Sequence, residues 1–164
     1  MLNDIELINF IDMSLEEKKM VLSWRNHPDI KQWMYNSDDI SLENHLLFIE
    51  TLKNCADKLY FLVKQHNNYI GVIDFTNIDK SNKSSEFGLY SNIDIQIPGI
   101  GRVLENVCID YAFNILNINI LKLEVFSKNV QVRNLHKKFK FEETGIKEVN
   151  GKEVICMELK NEDR

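Results

Sequence analysis

Two short stretches of this 164-residue chain combine residue types that can bind and react. The first is Gln96-Ile97-Pro98-Gly99-Ile100-Gly101, which follows a strand-like run, Ser84 to Tyr90, and opens onto an amphipathic segment from about Arg102 to Leu116. Glycines at these positions clear side chains from the path of a phosphate toward the main chain. The free N–H groups of a first helical turn then face that phosphate, with the helix dipole behind them. A pyrophosphate is the ligand such a loop serves, although a turn joining strand to helix also uses glycine for shape alone. Spacing rejects two common phosphate loops. No Lys-Ser or Lys-Thr follows Gly101, as a P-loop requires, and Leu104 stands where a dinucleotide fingerprint has its third glycine.

The second stretch is Trp24-Arg25-Asn26-His27-Pro28-Asp29-Ile30, followed by Trp33-Met34-Tyr35. Its aromatic faces can stack on a base or a sugar, and Arg25 and His27 can meet a diphosphate through charge-assisted bonds. A sugar nucleotide would use both. The same residues have a plainer use, with Trp24 and Trp33 in the core and Arg25 and Asn26 closing a helix end.

The elements that must hold these stretches follow from hydrophobic period and turn chemistry. Ile5 to Phe10 alternates like a strand, and Ser14-Leu15-Glu16-Glu17 is a capping box that starts a helix running to about Arg25. A short helix is expected over Asp29 to Met34, and Ser41 caps another that runs to about Asn54, with Leu42, His45, Leu46 and Ile49 on one face. Tyr60 to Lys64 and Tyr69 to Asn77 read as strands joined by an asparagine-rich hairpin, and Asp79 to Ser85 as a polar loop. Farther on come a strand over Leu121 to Phe126 and a helix over Val130 to Lys138. Strands Glu142 to Glu148 and Glu153 to Leu159 then pair across the turn signal Asn150-Gly151.

Composition narrows the class. The length suits one domain, 1–164, with a proper core. A formal charge of −5 and the lack of any Lys/Arg run argue against nucleic acid as a partner. Cys55, Cys108 and Cys156 are far apart and follow no metal-ligand spacing, so no metal site or disulfide framework is expected. The start, Met1 to Glu6, has no basic segment followed by an apolar one, and no apolar run is long enough to cross a membrane. A cytoplasmic protein without a membrane partner is the expectation; a homodimer stays open.

The pattern Gln-x-x-Gly-x-Gly at Gln96 to Gly101 resembles the acetyl-coenzyme A loop of the GCN5-related N-acetyltransferases (GNAT). The resemblance continues downstream, where Asn129, Val132, Leu135, His136 and Phe141 fall on that family's Asn, Ala, Leu, Tyr and Phe positions. His136 replaces the usual tyrosine, and Lys140 the usual glycine. The resemblance implies an α/β (α+β) fold, a mixed and mostly antiparallel sheet of about seven strands with helices on both faces. It also implies acetyl-coenzyme A as donor, with no metal. Leu89 and Tyr90 would supply backbone bonds near the acetyl group. Gln96, Gly99, Ile100, Gly101 and Arg102 would surround the pyrophosphate, and Asn129 would touch the pantetheine arm. At the tyrosine position, His136 would protonate the departing thiolate. The alternative for it is a solvent-facing histidine in a basic helix end, Arg133 to Lys140. Glu86 leads as base, acting through a water, against a reading as a solvated strand carboxylate; Asp74 and His27 follow.

A closer resemblance is carried by Trp-Arg-Asn-x-Pro-Asp-Ile, Trp33-Met34-Tyr35, Ile40-Ser41-Leu42-Glu43-x-His45 and Phe48-Ile49. These residues are similar to the N-acetyltransferases of pseudaminic acid biosynthesis in flagellated bacteria such as Campylobacter and Helicobacter. That implies direct transfer, in a ternary complex, to the 4-amino group of UDP-4-amino-4,6-dideoxy-N-acetyl-β-L-altrosamine, a step toward flagellin glycosylation. Arg25, Asn26, His27, Trp33, Met34, Tyr35 and Tyr90 would then hold the UDP-amino-sugar. The alternatives are acetylation of a protein N-terminus, as in ribosomal-protein acetyltransferases, or of another small amine, and a domain that binds coenzyme A without turnover.

Overall fold

The computed structural model describes residues 4–164; Met1, Leu2 and Asn3, part of the start read above for a leader, lie outside them. Strands β1 (Ile5–Asn9), β2 (Leu59–Gln65), β3 (Asn68–Asp79), β4 (Ser84–Ser91), β5 (Ile120–Phe126), β6 (Glu142–Val149) and β7 (Lys152–Lys160) form one sheet in the order β1-β2-β3-β4-β5-β7-β6. Every neighbouring pair is antiparallel except β4 and β5, which run parallel. The two tight hairpins have the chemistry they need. His66 and Asn67 take φ of 50° and 66°, and Asn150 and Gly151 take 52° and 77°, the positive values that match a two-residue turn to the twist of its strands.

Helices cover both faces. On one side α1 (Leu15–Arg25) and α3 (Leu42–Leu52) pack Val21, Trp24, Ile49 and Leu52 against Leu62 and Val72. The capping box of α1 forms as its residues foretell, with Ser14 Oγ accepting from Glu17 N–H at 3.1 Å and Glu17 accepting from Ser14 N–H at 2.9 Å. On the other side α4 (Ile100–Asp110) and α5 (Val130–Lys138) cover the main core. The N-cap of α4 is Gly99, with no side-chain bond, which forgoes only about a few tenths of a kcal/mol relative to a good cap. Burial of Ile100, Leu104 and Val107 outweighs that, at about 1.5–3 kcal/mol for each large side chain. After Asp110 the helix widens into one π turn, where Leu116 N–H bonds the Tyr111 carbonyl at 2.9 Å.

Two expected boundaries move. The short helix α2 is Pro28–Lys31, earlier and shorter than Asp29 to Met34. His27 caps it by accepting from Asp29 N–H, and the chain then leaves the helical path because Arg25 grips carbonyls farther on. Strand β3 runs to Asp79, so the polar loop before β4 is only 80–83.

One feature of the sheet matters most for function. Strands β4 and β5 pair only where Ser84, Ser85 and Glu86 face Ile120, Leu121 and Lys122. Beyond Glu86, β4 stays bonded to β3 as far as Ser91, and β5 to β7 as far as Phe126. The parallel strands therefore part, and a gap opens in mid-sheet.

Candidate active site

A cleft of about 830 Å³ fills that gap, with β4 and β5 as its walls, the start of α4 and most of α5 at one end, and α2 with the residues after it at the other. At the α4 end Gly99 adopts φ 85°, and a Cβ built on it would meet nothing within 4 Å. The first bond of the helix is Val103 N–H to the Gly99 carbonyl at 3.0 Å. The N–H groups of Ile100, Gly101 and Arg102 thus have no acceptor in their own helix and sit at its positive end. Gly99, Gly101 and Arg102 line the cleft, and Lys138 adds a second cation. Ile100 turns its side chain into the core, 7% exposed, and offers only main chain; Gln96 is exposed and does not line the cleft. Of the six positions of the loop pattern, only the two glycines line the cleft.

Leu89 and Tyr90 line the cleft from β4, whose residues from Phe87 on have no β5 partner. Asn129 lines it from the other side and makes no capping bond on α5. His136 lines it as well, which overturns the solvent-facing reading: the ring is 5% exposed. Its Nδ1 lies 2.6 Å from Glu105 Oε1 on α4, and its edges meet Phe87 and Phe141 at centroid distances of 5.9 and 5.7 Å. The basic groups around it look elsewhere, with Arg133 and Lys137 sharing Glu143 at 3.0 and 3.2 Å. Lys140, at the family's glycine position, takes the left-handed φ of 72° that glycine would adopt freely.

The far end is carboxylate-rich. Asp74 of β3 lies against Gly88 of β4, so close that a Cβ there would come within 2.9 Å of Asp74 Oδ2. Burial, reinforced by the Glu86 carboxylate, pushes the Asp74 carboxyl up to about 7. Asp74 lines the cleft and Glu86 does not; Glu86 instead accepts from the Asn77 amide. The order of the two candidate bases is therefore reversed, because Glu86 sits where β4 and β5 are still paired and Asp74 sits where they have parted. Glu124 of β5 is a second cleft carboxylate that sequence reasoning missed. It binds Lys147 at 2.6 Å and accepts from the Tyr35 hydroxyl. Strand alternation shows that Glu124 opposes the core-facing Leu123 and Val125, but nothing local shows that the sheet opens beside it.

The aromatic and basic cluster splits in two. Trp33 and Met34 line the cleft, as do Asp29 and Ile30 of α2. Tyr35 does not line it but stands at its edge, 5.6 Å edge-on from Phe126, with its carbonyl accepting from Asn150 at 3.0 Å. Arg25, Asn26 and His27 stay outside. Arg25 donates to the carbonyls of Asn36 and Asp38 at 2.6 and 3.4 Å, and Asn26 donates to the Ile40 carbonyl at 2.9 Å and accepts from its N–H at 2.8 Å. Their donors are spent on shaping the loop that presents Trp33. His27 holds the start of α2, its Nδ1 accepting from Asp29 N–H at 3.1 Å. Trp24 is fully buried, its indole N–H donating to Asp94 at 3.3 Å, so its plainer use is the right one.

A sheet that parts between parallel strands, with bare helix amides at one end of the gap and reactive side chains along it, is the architecture of an acyl-coenzyme A-dependent transferase. The chain matches the Acetyltransferase (GNAT) domain family over residues 14–153 and belongs to that family of acetyltransferases. It is 44% identical to the acetyltransferase PseH of Campylobacter jejuni subsp. jejuni serotype O:2 over 137 residues, 84% of this chain and 84% of that protein. The crystal structure of C. jejuni PseH in complex with acetyl coenzyme A superposes with a TM-score of 0.78 at 34% identity, covering 96% of this chain and 99% of that one. Spermidine N-acetyltransferase from Vibrio cholerae, in complex with CoA and spermine, has the same fold, with a TM-score of 0.87 at 22% identity over 98% of this chain and 97% of that one.

Proposed function

We propose that the protein moves the acetyl group of acetyl-coenzyme A to the 4-amino group of UDP-4-amino-4,6-dideoxy-N-acetyl-β-L-altrosamine, within a ternary complex, in pseudaminic acid biosynthesis. The observation that carries this is the cleft between β4 and β5, with the free N–H groups after Gly99 at one end and the Asp74 carboxyl toward the other. The likeness to PseH over most of both chains supports the choice of sugar acceptor. In this reading the reaction takes place in the cytoplasm.

In this reading the amides after Gly99, with Arg102 and Lys138, hold the donor's phosphates. The pantetheine arm lies along β4 as an added strand, and Leu89 and Tyr90 meet it with main chain left unpaired by β5. Asn129 contacts it from α5. Main-chain N–H of Leu89 and Tyr90 polarises the thioester carbonyl, at the point where negative charge develops. Asp74, poised near neutrality, takes the proton of the attacking amine. His136 protonates the departing thiolate. Trp33 offers a stacking face 39% exposed, and Met34 an apolar contact for the 6-deoxy methyl.

A second reading is favoured by one observation: Asp74 and Glu124 both face the acceptor end, which suits a polycationic amine. Glu124 is already neutralised by Lys147, so the sugar stays first. Thiol release from acetyl-coenzyme A decides between them with three acceptors, the UDP-4-amino-sugar, spermidine and an N-terminal peptide. The proposal predicts kcat/KM at least tenfold higher for the sugar nucleotide. Preference for spermidine or the peptide would reassign the acceptor.

A further inference from the structure

Glu105 has no part in the scheme above, and its setting is unusual. It is 0% exposed on α4, next to Leu104 and one turn beyond the amides that receive the donor's phosphates. A buried carboxylate without partners is strongly disfavoured, and an apolar side chain would fill the same space at lower cost. One of its oxygens, Oε2, has no hydrogen-bond partner among the described residues. The other meets Nδ1 of His136 at 2.6 Å. The interaction that justifies a carboxylate in this position is therefore with a ring that lines the reaction cleft.

We propose that Glu105 is a positioning residue for acetyl transfer: by binding Nδ1 of His136 it holds the ring in one orientation and leaves Nε2 to give a proton to the coenzyme A thiolate. This rests on the reading of His136 as the acid. Other charged or titratable groups near the pair are few. From α4 come Arg102, which lines the cleft, and Cys108, whose thiol is pushed well up by burial and the Glu105 charge. Asp74 faces the cleft from β3, and Lys138 is the nearest cleft-lining cation on α5. Arg133 and Lys137 are held by Glu143. Phe87 and Phe141 wall the ring, and among the described residues Glu105 alone bonds it.

The acceptor nitrogen bonds to the acetyl carbon, the C–S bond breaks, and its electron pair goes to sulfur. The Nε2–H proton moves to that sulfur, the proton released by nitrogen goes to Asp74, and exchange with water restores both residues. A carboxylate on Nδ1 holds the ring in line, as such pairs do at other catalytic histidines.

The test compares wild type, Glu105→Gln, His136→Asn and the double variant, by kcat against pH and by NMR of the histidine ring protons. Glutamine keeps the shape and an acceptor oxygen and removes the charge. The expected result is a fall in kcat of roughly 10- to 100-fold for Glu105→Gln, with KM for acetyl-coenzyme A changed less than about threefold. The double variant should be no slower than His136→Asn. Wild type should also show a far-downfield Nδ1 proton, absent from His136→Asn. A Glu105→Gln enzyme with unchanged kcat and pH profile overturns the proposal, as do multiplying losses in the double variant. So does a wild type without the downfield proton, which needs no variant to fold. Turnover with a different amine would displace only the acceptor, and the same series is then read with that amine. No turnover with any amine overturns both proposals.

Discussion

At the residue scale the account turns on Asp74. A carboxyl held up to about 7 by burial and by the nearby Glu86 charge becomes a competent base only as the pH rises through that value. The kcat of wild type should rise across pH 6–8, and Asp74→Asn should lose roughly 100-fold or more and flatten that limb. Stability must move the other way. The folded protein keeps this proton up to about 7, whereas an unfolded carboxyl releases it near 3.8, so stability drops progressively across that window. Asp74→Asn removes the cost, and above pH 7 it should melt at a higher temperature than wild type, a gain on the order of 3 kcal/mol. Parallel melting curves of the two proteins across pH 5–8 would contradict the assignment. Residue identity alone ranked Glu86 above Asp74, because both are strand carboxylates. Only the point at which β4 and β5 separate distinguishes them.

At the element scale, the strands and helices were legible from period and caps, since Ser14, Ser41 and Asn150-Gly151 act locally. The role of the loop after α2 was not, because it is set by long-range bonds: Arg25 and Asn26 hold the carbonyls of Asn36, Asp38 and Ile40, and Tyr35 reaches Glu124 across 89 positions of sequence. The end of α5 yields a direct prediction. Lys140 occupies φ 72°, which costs an L side chain about 1 kcal/mol, so Lys140→Gly should stabilise the protein by about 0.5–1 kcal/mol in chemical denaturation without changing kcat. The start of α4 gives the opposite kind. Gly99 at φ 85° has open space where a side chain would project, so Gly99→Val both strains the turn and intrudes on the phosphates. Its Kd for acetyl-coenzyme A, read by calorimetry, should rise at least tenfold; an unchanged Kd would remove the loop from the donor site.

At the scale of the whole molecule, two cores on opposite faces of one sheet hold the strands apart. The core under α4 and α5 holds Ile100 and Leu104, next to the start of α4, and the core under α1 and α3 backs Tyr90. In the proposed reading the donor would be held by main chain at a local turn, whose glycine pattern is legible in the sequence, and the acceptor by side chains that β3, β5 and the loop after α2 bring to the cleft from distant positions. The most direct test of the central claim is transfer of label from [carbonyl-13C]acetyl-coenzyme A to the UDP-4-amino-sugar, followed by NMR of the product. A single labelled amide at the 4-nitrogen is the predicted result; no labelled sugar nucleotide, with label passing instead to spermidine or to a peptide amine, would contradict it.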